Sequence, residues 1–96
     1  MAHLADVVLS ESWVDLHVAA LATAGATLQI QNKGSNPVLL LESATAPAVG
    51  SDKGFVIEGY QVRVVAPKAG EKVFVRTVDT LESIAETSIL AVMEGA

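Results

Sequence analysis

Thr27-Leu28-Gln29-Ile30-Gln31-Asn32 decides the fold class. Leu28 and Ile30 alternate with Gln29 and Gln31. A period of two turns the aliphatic pair to one face of a strand and the glutamines to the other. Immediately after it, Asn32-Lys33-Gly34-Ser35-Asn36-Pro37 is turn chemistry. Gly34 tolerates positive φ, asparagine side chains mimic backbone turns, and Pro37 lacks the N–H a ladder needs. Val38-Leu39-Leu40-Leu41 follows and is apolar on both faces, as in a strand covered on both sides by its own fold or by a neighbour. The two strands read as a hairpin. Before Thr27, Thr23-Ala24-Gly25 reads as a turn, and Trp13–Val18 alternates as a strand. Its Val14, Leu16 and Val18 share the core face, and Trp13, Asp15 and His17 share the other. The competing reading is a helix over Ser12–Ala24, because the alanines there favour helix.

The same rhythm extends to both ends. Leu4–Leu9 is a short apolar run that reads as a first strand, closed by Ser10-Glu11-Ser12. Residues 43–54 form the longest loop, and loops of that length are often functional. Phe55–Ile57 is a short strand, Glu58-Gly59 a tight turn, and Tyr60–Val65 a strand with Tyr60, Val62 and Val64 opposite Gln61 and Arg63. Pro67–Glu71 turns the chain into Val73–Val78, where Val73 and Val75 alternate with Phe74 and Arg76. Asp79–Thr87 fits either a helical turn capped by Asp79 or Thr80 or an irregular crossing. Ser88–Met93 is a final apolar strand. Seven or eight strands with turn signals this frequent predict an all-β chain, a small antiparallel sandwich or barrel. At 96 residues it is expected to be a single domain, with residues 1–12 as an N-terminal contact segment.

Composition narrows the function. Hydrophobic residues make up 51% of the chain and charged residues 18%, which excludes disorder and fits either apolar surface covered by another chain or a compact sandwich rich in Val, Leu and Ala. No apolar run reaches the roughly 20 residues of a membrane helix, and the N-terminus lacks the basic region of a signal peptide. The absence of cysteine excludes disulfides and thiolate metal sites and fits synthesis in a reducing cytoplasm. The net charge of −5 is uneven: residues 1–32 carry −3, residues 33–78 carry +2 and residues 79–96 carry −4. With no basic stripe for a phosphate backbone, neither nucleic acid nor membrane is an expected partner.

Little in the chain can do chemistry. Asp15 and His17 share a strand face, an arrangement that orients an imidazole, but no Gly-x-Ser-x-Gly elbow supplies a nucleophile. His3 and His17 are the only imidazoles, and Glu42 and Asp52 are the only acids flanking the long loop, so neither zinc nor calcium has a full ligand set. Gly50-Ser51-Asp52-Lys53-Gly54 lacks the spacing of a phosphate loop. Arg63 and Arg76 fall on facing strands of an expected hairpin, as an anion site or as ordinary surface arginines. Trp13, and more weakly Tyr60, suit either anchoring of a sugar or protein partner or burial under a loop of their own domain. The expectation is no enzyme, no cofactor and no metal.

Trp13-Val14-Asp15-Leu16, Leu28–Gly34, Pro37–Glu42 running into Ala46-Pro47, Gly54–Ile57 with the Glu58-Gly59-Tyr60 turn, and Val73–Thr77 occur in an order that resembles the short β-sandwich virion proteins of tailed bacteriophages. The resemblance covers residues 13–78 and rests on turns and strand faces. It departs from the pattern at Asp79–Thr87 and at Glu58-Gly59, where Pro-Gly is more usual. It implies a non-enzymatic protein of the virion, made in the bacterial cytoplasm. That protein decorates or cements the capsid at lattice junctions as a homo-oligomer, by analogy a trimer, bound to the major capsid or another virion protein. A head–tail junction or tail role is a variant. A carbohydrate-binding module built on Trp13 is the alternative from another class. The contact residues expected from chain end and long loop are Leu4, Val7, Val8, Trp13, Val49, Asp52 and Lys53.

Overall fold

The computed structural model describes residues 2–10, 12–34, 37–48, 53–77 and 88–94. They form two antiparallel sheets packed as a sandwich, with one helical turn. The strand segments are β1 (Ala2–His3), β2 (Val7–Leu9), β3 (Val14–Asp15), β4 (Leu28–Asn32), β5 (Val38–Ser43), β6 (Phe55–Ile57), β7 (Val62–Val65), β8 (Lys72–Thr77) and β9 (Ser88–Glu94), with helix α1 at Leu16–Ala19. Sheet A runs β1-β9-β4-β7, with β2 also on β9, and sheet B runs β3-β8-β5-β6. Among the described residues, no helix is long and apolar enough to cross a membrane.

The core lies between the sheets. Leu28 and Ile30 of β4, Leu90 and Val92 of β9 and Val65 of β7 meet Val73 and Val75 of β8, Val38 and Leu40 of β5 and Ile57 of β6. The alternation expected for β4 holds, and it extends to Asn32, which is fully buried on the same face. Its amide Nδ2 donates to the Ile57 carbonyl at 3.2 Å, and its Oδ1 accepts the Gly34 N–H at 3.0 Å. A buried polar side chain thus ties β4 of sheet A to β6 of sheet B. Its desolvation is offset only because both ends of the amide are used.

Several expectations give way to the tertiary pairing. β4 and β5 are not a hairpin: β4 pairs with β7 and β9, and β5 with β6 and β8. The turn after Asn32 carries the chain from one sheet to the other. Arg63 and Arg76 likewise lie in different sheets, so they do not face each other across a hairpin. The doubly apolar β5 is a central strand, and its outward Leu39 is buried within the described fold. On β8, Val73 and Val75 enter the core while Phe74 and Arg76 are buried on the opposite face of sheet B. The first strand is split: Ala2 and His3 pair with Glu94 and Met93, but Val7 pairs with Leu90, so the register slips by one residue in the bulge between β1 and β2.

The strand expected over Trp13–Val18 ends at Asp15. Asp15 caps α1, its Oδ1 accepting the N–H groups of His17 at 3.1 Å and Val18 at 3.4 Å. A short acid that bonds to backbone two and three residues on favours this turn over a continued ladder. Leu16 and His17 become buried and Val18 exposed. The helix closes with Ala22 N–H on the His17 carbonyl at 2.8 Å and Leu21 N–H on the Val18 carbonyl at 3.2 Å. This pair of bonds is the Schellman pattern, and it leaves Leu21 at φ 58°, where glycine is the usual residue. Leu21 is 87% exposed, so its side chain gains nothing there. Leu21→Gly is therefore expected to raise stability by about 1 kcal/mol, read as a higher urea midpoint with unchanged slope.

Candidate functional site

The strands of sheet A turn only uncharged described side chains to the outer face, and one ion pair borders them: Lys33, whose N–H continues the ladder to the Ile89 carbonyl, meets Asp6 Oδ2 at 2.7 Å. The registers place Met93, Gln29 and Val64 in one row across β9, β4 and β7, and Ala91, Gln31 and Val62 in the next. Val8 and Ile89 pair beside them across β2 and β9. Val8 is 64% exposed, Val62 54% and Val64 61%. Gln29, Gln31, Val62, Ala91 and Met93 line a shallow groove of about 100 Å³. A largely apolar sheet face of this kind, with Gln29 and Gln31 at its centre and its bordering charges paired, marks an interaction site more often than a bare surface.

The sequence puts Val62 and Val64 on one face of β7, opposite Arg63, without a direction; the pairing of Val65 with core-facing Leu28 turns that face outward. A shift of one residue flips every side chain of a strand. The apolar surface continues round the margin of the sandwich through Phe55, Val56 and Tyr60, all exposed. The Arg63 guanidinium lies 5.4 Å from the centre of the Phe55 ring. Tyr60 sits at φ 65°, in a turn closed by Gln61 N–H on the Glu58 carbonyl, and its own carbonyl accepts from Gln31 Nε2 at 3.3 Å. Positive φ at this turn thus falls on Tyr60 and not on Gly59.

Of the contact residues expected from sequence, Val8 belongs to this face. Its neighbour Val7 points into the core and is buried, so it offers no contact, and Leu4 packs against the core as a partly buried residue. Trp13 is half-buried with the Arg76 guanidinium 5.4 Å from its ring centre. A ring occupied in this way is not an open stacking platform. Lys53 is exposed. Val49 and Asp52 lie outside the described residues, as do the Asp79–Thr87 segment and the side chain of His3. The signal that sequence reading passed over was Ile89-Leu90-Ala91-Val92-Met93: it is apolar on both faces like β5, but its outward face stays open.

Asp15 and His17 do come together, at a cleft of about 680 Å³ lined also by Val18, Lys68, Glu71 and Lys72. Their bonds are structural. Asp15 holds the backbone N–H of His17, not its ring, and His17 Nε2 meets the Ala26 carbonyl at 2.8 Å. A carbonyl only accepts, so that nitrogen carries a proton and acts as a donor within the fold. No serine, threonine or cysteine is among the residues lining the cleft. Among the described residues no group of three or more histidine or acidic side chains is placed to hold a metal ion.

No family model, curated protein or solved structure matches the chain.

Proposed function

We propose that this chain is a non-enzymatic structural protein of a phage virion, one that decorates or cements the capsid, and that it binds through the outer face of sheet A. The observation that carries the reading is the largely apolar surface formed by Val8, Ile89, Ala91, Met93, Val62 and Val64 around Gln29 and Gln31, bordered by the Lys33–Asp6 pair. Apolar area removed from water stabilises a contact by roughly 25 cal/mol per Å². Paired carboxamides fix orientation without the desolvation cost of charge. The resemblance of residues 13–78 to small virion sandwiches supplies the particle, and the acidic chain ends supply solubility before assembly. A place at the head–tail junction or in the tail uses the same surface.

The test is co-sedimentation with phage capsids assembled without the chain. Wild-type chain is expected in the pellet, and the double variant Val8→Glu, Val62→Glu in the supernatant. Both positions are more than half exposed, so each change is expected to move folding stability by no more than about 0.5 kcal/mol. Equal pelleting of wild type and variant would overturn this face as the binding surface.

A further inference from the structure

We propose that β7 is a pairing edge, joined in antiparallel fashion to the β7 of a second copy about a two-fold axis at Val64. The inference deepens the assembly reading and rests on it for its purpose, but it stands on a separate geometry.

β7 ends the order of sheet A, with β4 on one side and no described strand on the other. The free side carries defined donors and acceptors. Asn32 N–H bonds to the Gln61 carbonyl at 3.0 Å, which makes Asn32 and Gln61 a hydrogen-bonded pair. Lys33 N–H bonds to the Ile89 carbonyl, so β4 uses its odd-numbered residues toward β9 and its even-numbered ones toward β7. Alternation along an antiparallel ladder then assigns the backbone groups of Arg63 and Val65 to β4. Those of Val62 and Val64 point away from the sheet.

Exposed strand edges are ordinarily guarded by lysine, proline or a bulge. Val62-Arg63-Val64-Val65 has none of these. Its one charge, Arg63, is drawn over the Phe55 ring of the same chain. The exposed apolar side chains Phe55, Val56, Tyr60, Val62 and Val64 gather on this margin. An antiparallel partner of identical sequence matches such an edge by construction, since a two-fold axis pairs each donor with the equivalent acceptor. Centred on Val64, the register opposes Val64 to Val64 of the second copy and Val62 to Ala66, and it exchanges bonds through the outward groups. Centred on Arg63, it would oppose two like charges, which is unfavourable. The Val64 register also extends the outer face of sheet A across the axis as one apolar surface. The expected unit is a two-fold pair, not the trimer that analogy implies.

The chain has no cysteine, so a single introduced thiol reads the geometry cleanly. Opposed residues of a hydrogen-bonded antiparallel pair lie about 5.5 Å apart at Cα, within the reach of a disulfide. Val64→Cys is expected to give a covalent dimer under mild oxidation, while Val8→Cys, on the far strand of the same face, stays monomeric. Val64→Pro removes an outward N–H that β4 does not use, and Val64→Lys guards the edge with the backbone intact. Both are expected to elute as monomers with wild-type circular dichroism where light scattering shows the wild type as a dimer. If proline disturbs the fold, lysine still reads the contact. A wild-type chain that stays monomeric at high concentration, or a Val64→Cys chain that links no faster than Val8→Cys, overturns the pairing. The capsid assay separates the two readings. Monomeric wild type with capsid binding lost in Val8→Glu, Val62→Glu removes the edge pairing alone. A linked Val64→Cys dimer with capsid binding unchanged in that variant removes the capsid-binding face alone.

Discussion

Gly54→Ala is expected to lower the thermal midpoint by about 20 °C, the larger part of what a domain of this size can lose and stay folded. Gly54 has φ 114°, outside the region that residues with a Cβ adopt, and it packs directly on the backbone of central strand β5. A Cβ there would overlap the Leu40 carbonyl oxygen and lie 3.0 Å from the carbonyl carbon and 3.3 Å from Leu41 Cβ. Leu40 pairs with Val75 on one side and Phe55 on the other, so it cannot withdraw without disturbing both ladders. Strain of about 1–3 kcal/mol from the dihedral and a similar amount from overpacking sum to roughly 4 kcal/mol. Gly25→Ala is the matched control. Gly25 also has positive φ, 76°, but nothing lies within 4 Å of its would-be Cβ, so only the dihedral cost of about 1 kcal/mol is expected. Equal shifts in the two variants would show that close approach to β5 contributes nothing.

Asn32→Asp is expected to cost about 3 kcal/mol at neutral pH, because it buries a charge that keeps the Gly34 N–H but turns its other oxygen on a carbonyl. The amide is fully buried and bridges the sheets by donating to the Ile57 carbonyl. A carboxylate of the same shape has no N–H to donate and sets its negative oxygen against that carbonyl. Protonation removes the charge and restores a donor. Burial raises the pKa of the introduced acid in the folded state above its unfolded value of about 3.9. The unfolded chain then releases its proton first as pH rises, so the defect relative to wild type is small at about pH 3.5 and grows through the range above it. Urea titrations of both proteins at acidic and neutral pH measure this difference. A cost that does not change with pH would mean that the position is hydrated.

Strand faces were legible in sequence wherever a polar residue separated two aliphatic ones at the centre of a sheet. Leu28 and Ile30 against the glutamines of β4, and Val73 and Val75 on β8, are the clear cases. At the margin the same logic grouped the residues but left their direction open. Val62, Val64 and Val65 fit either face of β7, and Arg63, placed over Phe55 beside the open edge, gives no sense of inside or outside. Only the distant pairing of Val65 with Leu28 decides it. Partnership between strands was not legible either, since the turn residues after Asn32 mark a change of direction but not whether the chain stays in its sheet. Asp15 shows a third limit: one cap overrode the last three residues of the alternation, Leu16–Val18, because two backbone bonds are local and immediate. The candidate surface was visible in part. Val8 was singled out, but β9 was read only as a final apolar strand with no outward face assigned, whereas β5 was read as covered on both sides by its own fold or by a neighbour.

The placement of β9 bears on how this chain reaches its native state. The strand lies in the middle of sheet A, between β4 and the interrupted β1–β2 edge, and it follows every other strand in sequence. Val7 must find Leu90, and Leu28 must find Glu94, before that sheet is complete. Of the strand pairs, only β5 with β6 joins neighbours in the chain. Folding speed falls as the separation of paired residues grows, so refolding is expected on the millisecond-to-second scale of sandwiches rather than the microseconds of helical bundles. During synthesis β1, β2 and one side of β4 wait unpaired until Ser88–Glu94 emerges, while β4–β7 and all of sheet B can already form.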